Sequence, residues 1–164
     1  MRDRVHAIQA VVDLPIGVHT HNNLGLGVGN AITAVECGAA YCDGSLEGQG
    51  AGCGNGNIQA IAAVLDKMGV KTGADIYALM DVAEQSVRPT IHHSLEITNE
   101  SITLGYNGIY SSFYQHTKEA SERYGIPARE IFTELGKRKV IGGQEDHIID
   151  ICYEILDKRK AEAK

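Results

Sequence analysis

The sequence predicts an α/β fold with parallel strands, followed by an all-helical segment. Three observations carry this. Two short apolar stretches, 16–21 and "AAYCDGSL" at 39–46, each lead into a helical pattern. The two β/α pairs follow one another directly, which implies parallel strands joined by crossovers. After Gly73 the strand signals stop and helical periodicity takes over.

Taken in order, Val5, Ile8 and Val12 share one face of a short first helix that starts almost at Met1, and Pro15 ends it. Residues 16–21 form the first strand. Val28, Ala31, Ile32 and Val35 follow the i, i+3, i+4, i+7 pattern of a second helix, with Gly38 suited to its C′ position. The second strand leads into a glycine-rich loop, "EGQGAGCGNG". Ile58, Ile61, Ala62, Leu65 and Met68 then mark a third helix, stopped by Gly69. Ile76, Leu79, Met80, Ala83 and Val87 give a fourth, which closes at Arg88-Pro89. Residues 90–97, "TIHHSLEI", read as a linker or short strand. Three or four helices are expected beyond them, near 99–106, 109–124, 127–136 and 145–160, with Pro127 at a first helical position. The composition shift at 86–95 divides the chain into residues 1–88 and 89–164.

Charge and hydropathy exclude several function classes. The formal net charge is −6, and "GKRK" and "DKRK" are the only basic runs, so nucleic-acid binding through phosphate neutralisation is not expected. No apolar run approaches the roughly 20 residues that span a bilayer, and the N-terminus lacks a signal-peptide core. None of the four cysteines, Cys37, Cys42, Cys53 and Cys152, forms a CxxC pair. They are expected to be reduced and partly buried in a soluble, cytoplasmic protein.

Chemistry concentrates at "IGVHTHNN" (16–23). Residues i and i+2 of a strand face the same way with Cα atoms roughly 6.5 Å apart, so His19 and His21 can both reach one metal ion. They stand at the carboxyl end of a strand, where parallel α/β folds gather functional groups. Spacing alone is weak, since seven histidines in 164 residues give about 0.3 such pairs by chance. Two imidazoles also need a carboxylate and waters to hold a divalent cation. Asp43 is the nearest candidate, although a capping role suits it better. His92-His93 reads as a solvated pair, because adjacent extended residues face opposite sides. The glycine-rich loop is no nucleotide cradle. A G-x-G-x-x-G frame begun at Gly48, Gly50 or Gly52 ends on Cys53, Asn55 or Asn57, and no Walker lysine follows. It reads as a tight βα loop that brings backbone close to a ligand, with Asn55 or Asn57 capping the next helix.

The stretch "GVHTHNNLGLGVGNAITAVECGAAYCDGSLEGQGAGCGN" resembles the seventh and eighth β/α units of the pyruvate-dependent aldolases of the DRE-TIM metallolyase superfamily. "LGYNGIYSSFYQHTKEASERYGI" and "LGKRKVIGGQEDHIID" are similar to the helical communication domain found in the same family. The two segments, in that order, cover essentially the whole chain. The resemblance implies an α/β fold comprising the last two β/α units of a (β/α)8 TIM barrel, followed by an all-α communication domain. It implies a divalent metal, most often Mn2+, held by one aspartate and by His19 and His21. Tyr110 matches a tyrosine that reaches the active site from the helical domain. By pattern alone Tyr110 is an ordinary core aromatic on its helix. Gly142 and Gly143 match positions lining the path of the aldehyde product, and by pattern alone they are a helix-to-helix turn.

The implied reaction is retro-aldol cleavage of a 4-hydroxy-2-oxo acid such as 4-hydroxy-2-oxovalerate, giving pyruvate and acetaldehyde. The metal stabilises the developing pyruvate enolate, and a base takes the 4-hydroxyl proton. The implied partner is an acylating acetaldehyde dehydrogenase. The family's metal-binding aspartate, neighbouring arginine and catalytic histidine lie on earlier barrel strands, outside the matched stretches. A two-strand portion leaves edges and apolar helix faces uncovered. The expectation is therefore a C-terminal portion of the aldolase, inactive until an oligomer or a complementing N-terminal chain completes it. The alternative is a non-catalytic module that docks on the dehydrogenase. A related acyl-transferring or lyase activity fits less well, because those relatives carry other C-terminal domains.

Overall fold

A computed structural model of the chain describes residues 1–92 and 95–162. Two compact units divide the chain, Met1–Ile97 and Thr98–Lys164. The first is a small α/β unit. The second is entirely helical in its described residues.

Unit 1 runs α1 (Arg2–Gln9), β1 (Gly17–Val18), α2 (Gly27–Glu36), β2 (Tyr41–Cys42), α3 (Ile58–Lys67) and α4 (Ile76–Val82). The strands pair in parallel, with Gly17 opposite Tyr41 and Val18 opposite Cys42. Both are shorter than their apolar stretches predict. The regular ladder stops after two residues, and the chain continues through isolated bridges from His21 to Asn55 and from Ser45 to Asn57. The second and third helices lie close to their predicted bounds because their signals are local, whereas α1 ends at Gln9, short of the expected Val12 and Pro15. Ala31 and Ala34 bury the inner face of α2, and Ile61 and Leu65 that of α3. The Asn57 side chain accepts the Ala60 N–H at 3.0 Å, so Asn57 is the α3 cap. The fourth helix departs from the expected regular form. After Val82 it widens into a π-helical turn over Ala83–Val87 and then tightens at Arg88–Thr90, where Pro89 cannot donate to a continuing ladder. Within the segment 90–97, His93 lies outside the described residues, and the described ones adopt no regular element from Ile91 to Ile97.

Unit 2 contains α5 (Asn99–Asn107), α6 (Phe113–Tyr124), α7 (Ala128–Arg138) and α8 (His147–Glu162). Thr98 and Ser101 cap α5 reciprocally, each side chain accepting from the other's backbone N–H. Pro127 occupies the N-cap of α7, one residue before the expected position, in an extended conformation (ψ 128°). One apolar core fills the unit. Leu104, Phe113, Phe132, Leu135, Ile148 and Ile151 are at its centre and almost fully buried. By contrast, the described residues of unit 1 form small clusters around Val5–Ala34–Ala39 and Ala31–Ile61–Leu65, and Val11, Leu14, Tyr41 and Tyr77 are exposed. No helix of the described residues is long and apolar enough to cross a membrane.

Candidate functional site

His19 follows β1 directly, and His21 lies two residues further along. Thr20, between them, turns inward: it is buried and donates its hydroxyl to the Gly27 carbonyl at 2.9 Å. This alternation leaves both imidazoles on the other side of the chain. Their ring centroids are 5.1 Å apart and the rings are nearly perpendicular, at 81°. Two imidazoles that share one ion, with metal–nitrogen bonds near 2 Å, place their centroids roughly 5 Å apart. The predicted pair stands near that separation, ring edge to ring face.

Asp43 does something other than cap. Its Oδ1 lies 2.5 Å from His19 Nδ1. The ladder explains the contact: Val18 opposes Cys42, so the next residues, His19 and Asp43, emerge side by side. Asp43 N–H also donates to the Val18 carbonyl at 3.1 Å.

The glycine-rich loop folds back against this strand end. Asn22 N–H donates to Gly54 O at 2.9 Å and Gly56 N–H to Thr20 O at 2.8 Å. The loop then crosses itself, with Asn55 N–H donating to Gly48 O at 2.9 Å. Gly54 makes that crossing possible. Its φ is +86°, and a Cβ there would stand 2.0 Å from the Gly48 carbonyl oxygen. Glu47 opens the loop in a left-handed conformation (φ 57°) that a non-glycine residue rarely adopts. Gln59 and Arg88 hold it there: Gln59 Nε2 and Arg88 Nη2 each donate to its carboxylate at 2.9 Å. Asn55, bridged to His21 through the backbone, donates Nδ2–H to Gln49 O at 2.9 Å. Its Oδ1 is buried and accepts no hydrogen bond. A buried orphan acceptor is costly unless something meets it.

Burial, and then the neighbouring His19, hold the His21 imidazole below its ordinary range. A neutral ring is the form that can ligate a metal. The same shift predicts acid lability. Above the ordinary imidazole value of about 6.5, folded and unfolded chains are both neutral at this position. Below it the unfolded chain takes up a proton that folded His21 resists, so stability is lost as pH falls towards the folded value. Protection factors of the amides across residues 17–23, corrected for the intrinsic slowing of exchange with acid, should fall between pH 7.5 and 5.5, and His21→Gln should flatten that dependence.

Tyr110 stands in the turn before α6, not on the helix, and is about half exposed. Its carbonyl accepts from Phe113 N–H at 3.2 Å. Gly142 and Gly143 occupy the α7–α8 turn. A Cβ on Gly142 would meet the Tyr110 ring at 3.4 Å, and Gly143 has φ +93°. Glu145, which the sequence did not single out, ties the two turns together. Its Oε1 accepts from Ser112 Oγ at 2.7 Å and from Gly143 N–H at 3.3 Å. The Ser112 hydrogen bond, chiefly, holds its carboxyl below the usual carboxylate range. All four cysteines are free thiols, with Cys53 and Cys152 buried. Burial pushes the Cys42 and Cys152 thiols up. Among the described residues no three His, Cys, Asp or Glu side chains converge on a point that could hold a metal.

Comparison with known proteins agrees with this layout. Residues 1–85 match the HMGL-like family, and residues 95–157 match the DmpG-like communication domain. The 4-hydroxy-2-oxovalerate aldolase of Geobacillus stearothermophilus is 49% identical over 159 residues, covering 97% of this chain and 46% of that protein. That of Moorella thermoacetica is 46% identical, covering 97% of this chain and 47% of its own length. The 4-hydroxy-2-oxovalerate aldolase 3 of Azotobacter vinelandii is 47% identical over 161 residues. The chain thus spans just under half the length of these curated relatives. With 85 of its 164 residues matched from the first position onward, this chain belongs to the HMGL-like family.

Proposed function

We propose that the chain is the C-terminal portion of a divalent-metal-dependent aldolase that cleaves 4-hydroxy-2-oxovalerate to pyruvate and acetaldehyde. Residues 1–88 supply the last two β/α units of a TIM barrel and residues 89–164 a communication domain. The observation that carries the reading is the pairing of His19 and His21 at 5.1 Å; Asn55, whose backbone bridges to His21, adds a buried amide oxygen that accepts no hydrogen bond. Two imidazoles and an amide oxygen suit Mn2+, and the set becomes a hard-cation site once a carboxylate joins it. Here His19, His21 and Asn55 would hold the metal. Bound there, a divalent cation supplies Lewis-acid stabilisation for negative charge developing on the 2-oxo acid.

The chain's own residues do the rest. The depressed His21 keeps a lone pair available near neutral pH. The crossed loop keeps backbone amides close to the strand end. The Tyr110 hydroxyl would hold substrate by a hydrogen bond, on a turn braced by Gly142 and Glu145. Gly142 and Gly143 would line the aldehyde's route to an acylating acetaldehyde dehydrogenase. Uncovered apolar residues on unit 1 and its two-strand sheet support completion of the barrel by further strands, whether in an oligomer or from another chain. The free thiols suit a cytoplasmic protein.

The test pairs the purified chain with Mn2+ and 4-hydroxy-2-oxovalerate, with and without a separately produced aldolase N-terminal barrel half. Cleavage is expected only with the half added, and His19→Ala should reduce it by at least about a hundredfold. Turnover by the chain alone would refute the need for completion. If no combination turns over, yet an acylating acetaldehyde dehydrogenase still co-purifies with the chain and with its His19→Ala variant, the chain is a docking module instead.

A further inference from the structure

Asp43 has no role in holding the metal as proposed, yet it makes a close polar contact with one of the two histidines, 2.5 Å from His19 Nδ1. We propose that Asp43 is a positioning residue: its carboxylate fixes His19 as the Nδ1–H tautomer, leaving Nε2 as the nitrogen that meets a divalent cation. This rests on the reading of His19 as a ligand.

The chemistry follows from the donors present. An ionised carboxylate can only accept, so at 2.5 Å the imidazole must donate from Nδ1. A neutral imidazole has one N–H, and spending it on Asp43 leaves the Nε2 lone pair bare. Without such a partner, an exposed imidazole in water favours the opposite tautomer, with the proton on Nε2. The contact also restricts ring rotation, and it is built in by strand register, since His19 and Asp43 follow the paired Val18 and Cys42. A stabilising role is a poor explanation. Asp43 is 69% and His19 46% exposed in their side chains, and exposed ion pairs contribute little to stability. Metal-ligating histidines commonly donate their other N–H to a carboxylate, and loss of that partner weakens metal binding about 10–100-fold.

The experiment uses the full chain carrying 15N-labelled histidine at pH 8. Long-range proton–nitrogen spectra distinguish the two tautomers, and His19 is assigned by its disappearance in His19→Ala. Wild type should show His19 protonated at Nδ1. Asp43→Ala should shift it towards Nε2–H, and the isosteric Asp43→Asn should weaken the preference, each with an otherwise native amide spectrum. Mn2+ titration of the chain completed with the aldolase N-terminal barrel half, followed by electron paramagnetic resonance, should show about 10–100-fold weaker binding in Asp43→Ala. An Nε2–H ring in wild type, or a tautomer indifferent to both substitutions, overturns the proposal. Mn2+ affinity that falls in His19→Ala but not in Asp43→Ala also overturns it, and leaves the metal reading intact. Affinity unmoved by His19→Ala and His21→Ala would overturn the metal reading, and the positioning role with it, even where Asp43 still sets the tautomer.

Discussion

Replacing Phe132 by alanine is expected to cost the helical unit about 3–5 kcal/mol. Phe132 is fully buried on α7, at the centre of the core that α5, α6, α7 and α8 share. Truncation removes the apolar contact of a whole ring and leaves a cavity that the neighbouring Leu104, Ile131 and Leu135 can fill only in part. A small domain has about 5–15 kcal/mol in total, so this single change removes a large share of it. Hydrogen–deuterium exchange should rise in peptides from all four helices together, because one cluster serves them all. Tyr106→Ala is the control. Tyr106 lies on α5 of the same unit but is 84% exposed, and its loss should stay within about 0.5 kcal/mol.

Gly54→Ala should dismantle the glycine-rich loop. Two penalties coincide there. The left-handed φ of +86° costs an L-residue about 1–3 kcal/mol, and the added carbon would lie 2.0 Å from a backbone carbonyl oxygen that cannot swing aside as a side chain would. The loop must therefore open, which breaks the Asn22–Gly54 and Asn55–Gly48 hydrogen bonds and separates Asn55 from His21. Exchange at the Asn22 and Asn55 amides should become fast, and Mn2+ affinity should fall as far as in His21→Ala. Gly29→Ala offers the contrast. That glycine lies within α2 with open space where its Cβ would go, so the substitution should be neutral or stabilising by about 0.5–1 kcal/mol.

The sequence was most legible where structure is governed by neighbours a few residues apart. The faces of α2 and α3 and the Asn57 cap depend on i, i+3 and i+4 relations that the sequence displays directly. His19 and His21 were visible for the same reason, since a two-residue period needs only an extended chain. The strands were harder. A strand's length is set by its partner, and here pairing ends after two residues on each side. The bend of the last part of the fourth helix into a π turn was likewise hidden, because residues 83–87 keep ordinary helical periodicity.

By itself, then, the sequence determined the order of helices and strands, the imidazole pair and the helical second half. Only the tertiary structure decided what surrounds those residues. It paired Asp43 with His19 across 24 positions, left the Asn55 carbonyl buried without a donor, and joined the Tyr110 and Gly142–Gly143 turns through Glu145. The physical reason is one of range. Periodicity records which face of its own element a residue occupies, whereas strand register and loop path decide which distant polar group it meets, and no local pattern encodes either.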